Sequence, residues 1–303
     1  MQLPDGLTSR PLQPADARAV FEVMAAQQLA DLGVVEIEEA DIVADWARPS
    51  HDLGANSLGV FDGERLVGYV ELTSPDRGDA SVHPDYTGRG LGTALAEQMQ
   101  RFGRQRGSSV VGMPVPQGSL GDRLLESLGY RVRWNSWVLE LPAGTRIEPR
   151  ELPAGYASAV ASPDQYREVW TVIEDAFLEW SVRDREPFED FAASVPGRPG
   201  FEPWHLRVVT DPTGSVVGVA SVVMAEDYVG QTPMAYVDRL AVRRDQRRRG
   251  LAQALLVDAF AAGAEHGATR FELSTDSRTG ALDLYLKVGM VVRDVWVNRA
   301  IDL

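Results

Sequence analysis

The segment Asp245-Gln246-Arg247-Arg248-Arg249-Gly250-Leu251-Ala252 concentrates positive charge where the rest of the chain is acidic. Five arginines lie between Arg243 and Arg249, in a protein whose formal net charge is -14. Gly250 follows, then apolar residues at helical spacing: Leu251, Leu255, Ala259 and Ala262. Upstream, Ala235 to Val242 reads as a strand. A strand that turns through glycine into a helix leaves the first N–H groups of the helix unpaired, and the helix dipole favours an anion there. Glycine lets a ligand approach the backbone, and arginines add bidentate phosphate donors. The chemistry this spacing suits is a diphosphate cradle; a solvated basic turn that only starts a helix is the plainer alternative. There is no GxxxxGK[ST] sequence, and Gly88-Arg89-Gly90-Leu91-Gly92 fails as GxGxxG because Thr93 stands at the third glycine.

The same arrangement occurs twice. Val82 stands before Gly90-Leu91-Gly92 as Val242 stands before Gly250-Leu251-Ala252, an offset of 160 residues, and Gly107 and Gly129 answer to Gly267 and Gly289. Further upstream Gly68 answers to Gly218 at an offset of 150. The second copy therefore carries ten extra residues, expected in the loop-like stretch Met224 to Met234. Each copy predicts an early helical region (Asp16 to Leu32; Pro163 to Leu178) and two strands joined by a turn (Ser57 to Phe61 and Arg65 to Leu72; Leu206 to Val209 and Val216 to Val223). A third strand, a long helix, a fourth strand, a short helix and a closing strand follow in each. The expected fold class is mixed α/β (α+β). Each of two tandem domains, 1–145 and 146–303, has a mostly antiparallel sheet flanked by helices. The polar, proline-rich run Pro142 to Pro153 serves as linker.

With 44% apolar and 24% charged residues, the 303-residue chain fits a globular protein of two ordinary domains. No run is long and apolar enough to span a membrane. The N-terminus lacks the basic and apolar blocks of a leader, so a cytoplasmic location is the expectation. The acidic balance argues against general nucleic-acid binding. The absence of cysteine excludes disulfides and a thiolate nucleophile, and four scattered histidines offer no metal-ligand spacing.

Arg247-Arg248-Arg249-Gly250-Leu251-Ala252 resembles the [QR]-x-x-G-x-[GA] motif of the GNAT superfamily of acyl-CoA-dependent N-acetyltransferases. Ala281, Leu284, Tyr285, Gly289 and Met290 resemble that family's A-x-x-L-Y-x-x-x-G-[FY] pattern, with methionine for the aromatic. Arg278 stands where the family usually has an asparagine that starts the last helix. The resemblance covers nearly the whole chain as two copies. The tandem layout is similar to that of mycothiol synthase-like proteins, which acetylate a cysteinyl-aminosugar amine; no motif in the chain claims that substrate.

The resemblance implies that Arg247, Arg248, Arg249, Gly250, Leu251 and Ala252 grip the diphosphate of acetyl-CoA as co-substrate. The backbone of Leu240, Ala241 and Val242 is expected to receive the acyl carbonyl, and Tyr285 to protonate the leaving sulfur without itself being charged. Asp238, on one strand with Leu240 and Val242 and by strict alternation on their face, is a candidate base; an ion pair with Arg239 is its structural alternative, and Glu272 and Asp276 are substitutes. On the acceptor side Glu174, Trp180 and Tyr228 could meet a small-molecule amine by charge pairing and cation–π contact, although helical spacing assigns most of that region to a packed face.

In the first copy Tyr285, Asp238 and Arg247 answer to Leu125, Gly78 and Thr87, so residues 1–145 are expected to be degenerate and mainly structural. The expected activity is acetyl transfer to a primary amine of a small molecule by direct attack in a ternary complex. A non-catalytic acyl-CoA-binding module and a protein-modifying acetyltransferase are the alternatives.

Overall fold

The computed structural model describes residues 3–225 and 232–303. It divides the chain into two compact units, Met1–Ser136 with Val295–Leu303, and Trp137–Asp294. This partition differs from a single break at 145/146. Residues 137–145 belong with the second unit, and the last residues of the chain belong with the first.

In unit 1 the elements run β1 (Thr8–Arg10), α1 (Ala17–Leu32), α2 (Glu39–Trp46), α3 (Leu53–Asn56), β2 (Ser57–Asp62), β3 (Arg65–Ser74), β4 (Arg77–Val82), α4 (Leu91–Gln105), β5 (Val110–Pro116), α5 (Leu120–Ser127) and the first part of β6 (Arg131–Glu140). β1 to β4 form an antiparallel meander. β4 pairs with β5 in parallel at one position, Arg77 with Gly112. β5 is flanked on its other edge by the chain's final strand, antiparallel from Trp296↔Pro116 to Asp302↔Val110.

Unit 2 repeats the plan with β7 (Ala157–Val160), α6 (Tyr166–Phe177), α7 (Phe188–Ser194), β8 (Leu206–Thr210), β9 (Val216–Ala225), β10 (Met234–Val242), α8 (Leu251–Glu265), β11 (Arg270–Asp276), α9 (Leu282–Lys287) and the start of β12 (Val291–Asp302). β7 to β10 are antiparallel, and β10 and β11 are parallel. The strand on the outer side of β11 comes from residues 137–140, and Leu141 N–H donates to Phe271 O at 2.9 Å. Each unit's sheet is thus finished by a strand from the opposite end of the repeat.

Apolar alternation explains how unit 2 is layered. Val217, Val222, Ala235, Val237 and Val242 pack with Leu251, Leu255, Leu256 and Ala259 of α8. Val208, Val219 and Ala241 pack on the other side with Val169, Val172 and Ile173 of α6. Gly263 has no room for a side chain because Ala235 of β10 lies against it, so α8 sits close on the sheet. That closeness fixes where the N-terminus of α8 meets the end of β10.

Candidate functional site

The site starts from a strand that loses its partner. β10 pairs with β11 from Met234↔Arg270 to Val237↔Leu273 and no further. The register with β9 shifts between Val237 and Arg239, so Asp238 is the extra residue of a bulge. Beyond it the two parallel strands part. Arg243 N–H donates to Val217 O of β9 at 2.9 Å. Strand N–H groups alternate between neighbours, so those of Val242 and Leu240 point the other way, into the gap beside β11. This is the geometry expected of an acyl-carbonyl donor, and it comes from backbone alone.

At the end of β10 the chain makes a short 3-10 turn, Arg244–Gln246, and enters α8 through Gly250 at φ 84°. No side chain caps α8. Its first-turn N–H groups are free donors, held next to the gap. Arg248 takes φ 64°, the left-handed region that costs a non-glycine residue about 1–2 kcal/mol. The first copy has Gly88 at the same place, with φ 72°. Strain of this size is kept where a side chain has a task.

The arginines are not equivalent. Arg243 forms a two-armed pair with Asp245, at 2.7 and 3.0 Å, and draws the Asp245 carboxyl down to about 2. Arg247 donates Nε–H to Val242 O at 3.0 Å and both terminal nitrogens to Glu179, at 2.7 and 2.9 Å. Arg249 reaches the Tyr156 hydroxyl at 3.2 Å. Among the described residues nothing engages Arg244 or Arg248. Sequence reasoning missed a sixth arginine. Arg150, from the expected linker, fills the space a Cβ on Gly250 would need, so it lies on the α8 N-terminus. Ile147 anchors that linker by burying itself in the α8 core, and Gln253 holds the Glu148 carbonyl at 2.8 Å.

Tyr285 is on α9, 6% exposed, packed in the same core as Val242 and Leu251. Desolvation pushes its hydroxyl up to about 12, so it is a neutral donor at any physiological pH. That hydroxyl has no hydrogen-bond partner among the described residues. Helix α9 starts without the family's asparagine. Asp276 accepts the N–H of Arg278 at 2.8 Å and Thr279 Oγ1 accepts that of Ala281 at 3.1 Å, which hold the turn that leads into α9.

The carboxylates fare differently from expectation. Strict alternation fails at the bulge: Val237 and Leu240 both pack on the α8 side, so Asp238 does not share the face of Leu240 and Val242. It is exposed and ion-paired with Arg239, the structural alternative above. Glu272 is buried between Arg270 and Arg293, each at 2.5 Å, and Asp276 is bound by Arg278. Glu174 is 1% exposed and bound by Arg183, at 2.6 and 2.8 Å, and by Glu186 N–H at 2.8 Å. It fixes the loop after α6, its charge already paired by Arg183. Trp180 is half-buried between Phe177, at 5.4 Å between ring centroids, and the Arg278 guanidinium, 4.8 Å from its ring. Tyr228 lies outside the described residues, as does most of the inserted stretch.

Unit 1 keeps the backbone of this site with different side chains. Gly90 starts α4 at φ 85°, again with no side-chain cap. His83 N–H donates to Val67 O, so Val82 N–H points away from β3, as Val242 N–H points away from β9. Here the donor is taken: Gln27 Oε1 of α1 accepts it at 3.0 Å. Leu125, in the place of Tyr285, is buried core.

A bulged strand parting from a parallel neighbour, with a basic uncapped helix at its end, defines an acyl-CoA-type transferase fold. The chain belongs to the Acetyltransferase (GNAT) family, whose sequence pattern matches residues 21–117 and again 153–290. It is a tandem GNAT acetyltransferase. It is 28% identical over 290 residues to the mycothiol acetyltransferase of Thermobispora bispora, covering 91% of this chain and 92% of that protein. Against the mycothiol acetyltransferase of Salinispora tropica the identity is 26% over 269 residues, 82% of this chain and 81% of that one. The crystal structure of a GCN5-related N-acetyltransferase from Sphaerobacter thermophilus superposes with a TM-score of 0.72 at 26% identity, covering 99% of this chain and 97% of that one. A tandem GNAT protein from the clavulanic acid biosynthesis pathway shares the fold at a TM-score of 0.72 and 20% identity, covering 98% of each chain. Among the described residues no helix is long and apolar enough to cross a membrane.

Proposed function

We propose that unit 2 transfers the acetyl group of acetyl-CoA to the primary amine of a small molecule by direct attack in a ternary complex. The observation that carries this reading is the pair of N–H groups, Leu240 and Val242, facing the β10–β11 gap beside an uncapped, arginine-rich helix start. The diphosphate rests on the first turn of α8, and the thioester lies in the gap with its carbonyl oxygen against those donors. The amine nitrogen adds to the carbonyl carbon, and the N–H groups hold the oxyanion. The C–S bond then breaks, and the thiolate takes the proton of the Tyr285 hydroxyl, which regains one from solvent as coenzyme A leaves. The ammonium proton leaves on the β10 side through water to Asp238 once Arg239 yields it, or directly to solvent.

Unit 1 is proposed to be non-catalytic. Gln27 occupies the donor that would hold an acyl carbonyl, and Leu125 has no proton to give.

The test is release of free thiol from acetyl-CoA across an amine library that includes a cysteinyl-aminosugar amine, the acceptor type of the similar mycothiol enzymes. The protein has no cysteine of its own, so for acceptors without a thiol the reagent reports coenzyme A alone, and the cysteinyl acceptor is followed by the mass of its acetylated product. Turnover that depends on one small amine supports the reading. Tight coenzyme A binding with no turnover on any amine would leave a binding module, and turnover only on peptides a protein-modifying enzyme.

A further inference from the structure

Two adjacent residues after α6, Glu179 and Trp180, reach opposite sides of the β10–β11 gap. Glu179 holds Arg247, at the end of β10, through two charged hydrogen bonds of 2.7 and 2.9 Å. Trp180 lies under Arg278, whose guanidinium is locked to Asp276 at the end of β11. The rest of the loop is tied from below: Arg183 and the Glu186 N–H converge on the buried Glu174. Three of the five N–H donors of Arg247 are committed, Nε to Val242 O and one on each terminal nitrogen to Glu179, and these fix the guanidinium in place. Arg248, strained at φ 64° and without a partner among the described residues, and Arg150, lying on Gly250, are uncommitted.

We infer that the motif's leading arginine, Arg247, is a positioning residue and not a diphosphate ligand: with Glu179 it straps loop 178–187 across the mouth of the gap, while Arg248 and Arg150 supply the side-chain contacts to the diphosphate. This rests on the coenzyme A reading above. A bidentate arginine–carboxylate pair has fixed geometry, so breaking either partner frees the same loop. The turn itself calls for the left-handed backbone, since Gly88 adopts it in unit 1; at Arg248 the same strained point carries a long cation beside the N–H groups.

The experiment combines amide hydrogen exchange of residues 178–187 with calorimetric binding of coenzyme A to the full chain. Arg247→Met and Glu179→Gln should each speed exchange of the same loop amides about tenfold, with the double variant no faster than either single. Coenzyme A should bind Arg247→Met within threefold of the parent, and Arg150→Met or Arg248→Gly at least tenfold more weakly. Coenzyme A added to the parent should leave loop exchange unchanged, because the diphosphate does not compete with Glu179. The inference is overturned if Arg247→Met loses coenzyme A affinity as Arg150→Met does, if coenzyme A itself loosens the loop, or if Glu179→Gln leaves the exchange slow. A parent protein that binds no coenzyme A would remove the functional reading instead, and the exchange of the two strap variants would still decide whether the loop is held this way. Glu179→Gln, an isosteric change on a part-exposed side chain, keeps the test open should Arg247→Met fold poorly.

Discussion

Replacing Tyr285 by phenylalanine isolates one proton. The ring stays packed among Val242, Leu251 and Met290, and only the hydroxyl is lost. That hydroxyl makes no protein hydrogen bond, so its removal strands no partner, and the variant should melt at or slightly above the parent temperature at neutral pH. The rate should respond quite differently. Donation to a departing thiolate by a positioned acid contributes about 10²–10⁴-fold, or about 3–5 kcal/mol of barrier. The expected result is a fall in kcat of that size with little change in the KM for acetyl-CoA, measured by thiol release. Burial holds the hydroxyl at about 12 against an ordinary 10, so the parent's kcat should show no descending limb from this group below pH 11. The unfolded chain gives up this proton near pH 10 and the folded chain near 12. In between the unfolded state binds fewer protons, so the parent loses stability as pH rises, by up to about 3 kcal/mol. Tyr285→Phe should escape that loss and overtake the parent above pH 10. A variant within fivefold of parental kcat would refute the acid assignment, whatever its stability.

Gly250→Ala should cost about 1–2 kcal/mol in denaturant unfolding, from the left-handed backbone and the displaced Arg150, and should weaken coenzyme A binding more than tenfold by calorimetry. Asp79 in unit 1, directly across from Glu71, has its carboxyl raised to about 6, chiefly by burial and then by that neighbour. Its unfolded value is near 4, so folding stability falls as pH climbs from 4 to 6. Asp79→Asn should therefore raise Tm at pH 7.5, by an amount equivalent to about 3 kcal/mol, and leave it nearly unchanged at pH 4. Glu174→Gln leaves Arg183 half-paired beside a buried site. It should destabilise by about 2–3 kcal/mol in urea unfolding and raise proteolytic cleavage within residues 178–187.

The repeat made most of the fold legible. Matched glycines at offsets of 160 and 150 fixed strand and helix order, because the left-handed start of α8 at Gly250 and the close packing of Gly218 on Leu255 favour glycine. The short helices α2, α3 and α7 and the edge strands β1 and β7 carried too few periodic positions to announce themselves. What no pattern could show was the exchange of closing strands, since β6 and β12 have the same apolar alternation as any strand that stays within its own copy. Within the site, backbone roles were more readable than side-chain roles. The donors at Leu240 and Val242 follow from strand order. Asp238 was misplaced by a single bulge, which inverts alternation without leaving a glycine or proline to mark it. Arg150 and Glu179 were invisible because each reaches the turn from a segment about 70–100 residues away.

The two copies show what a transferase site can lose while its frame persists. Gly88 and Arg248, and Gly90 and Gly250, keep nearly the same backbone angles, so the helix start is conserved in shape within one chain. What separates them is occupancy of a donor. In unit 2 the Val242 N–H faces an open gap, and Arg247, which donates to the Val242 carbonyl, has no acceptor with which to close it. In unit 1 the Val82 N–H is closed by Gln27, reaching in from α1. A satisfied buried donor contributes to folding and an unsatisfied one costs about 1–3 kcal/mol, so closing the gap is the stabilising choice wherever no substrate needs it. Unit 1 made that choice and filled the tyrosine site with leucine. Unit 2 keeps open N–H groups, a strained arginine and an unpartnered tyrosine hydroxyl together, around one gap. Three departures from the most stable arrangement, converging on one point, support the proposal that unit 2 is the half that does the chemistry.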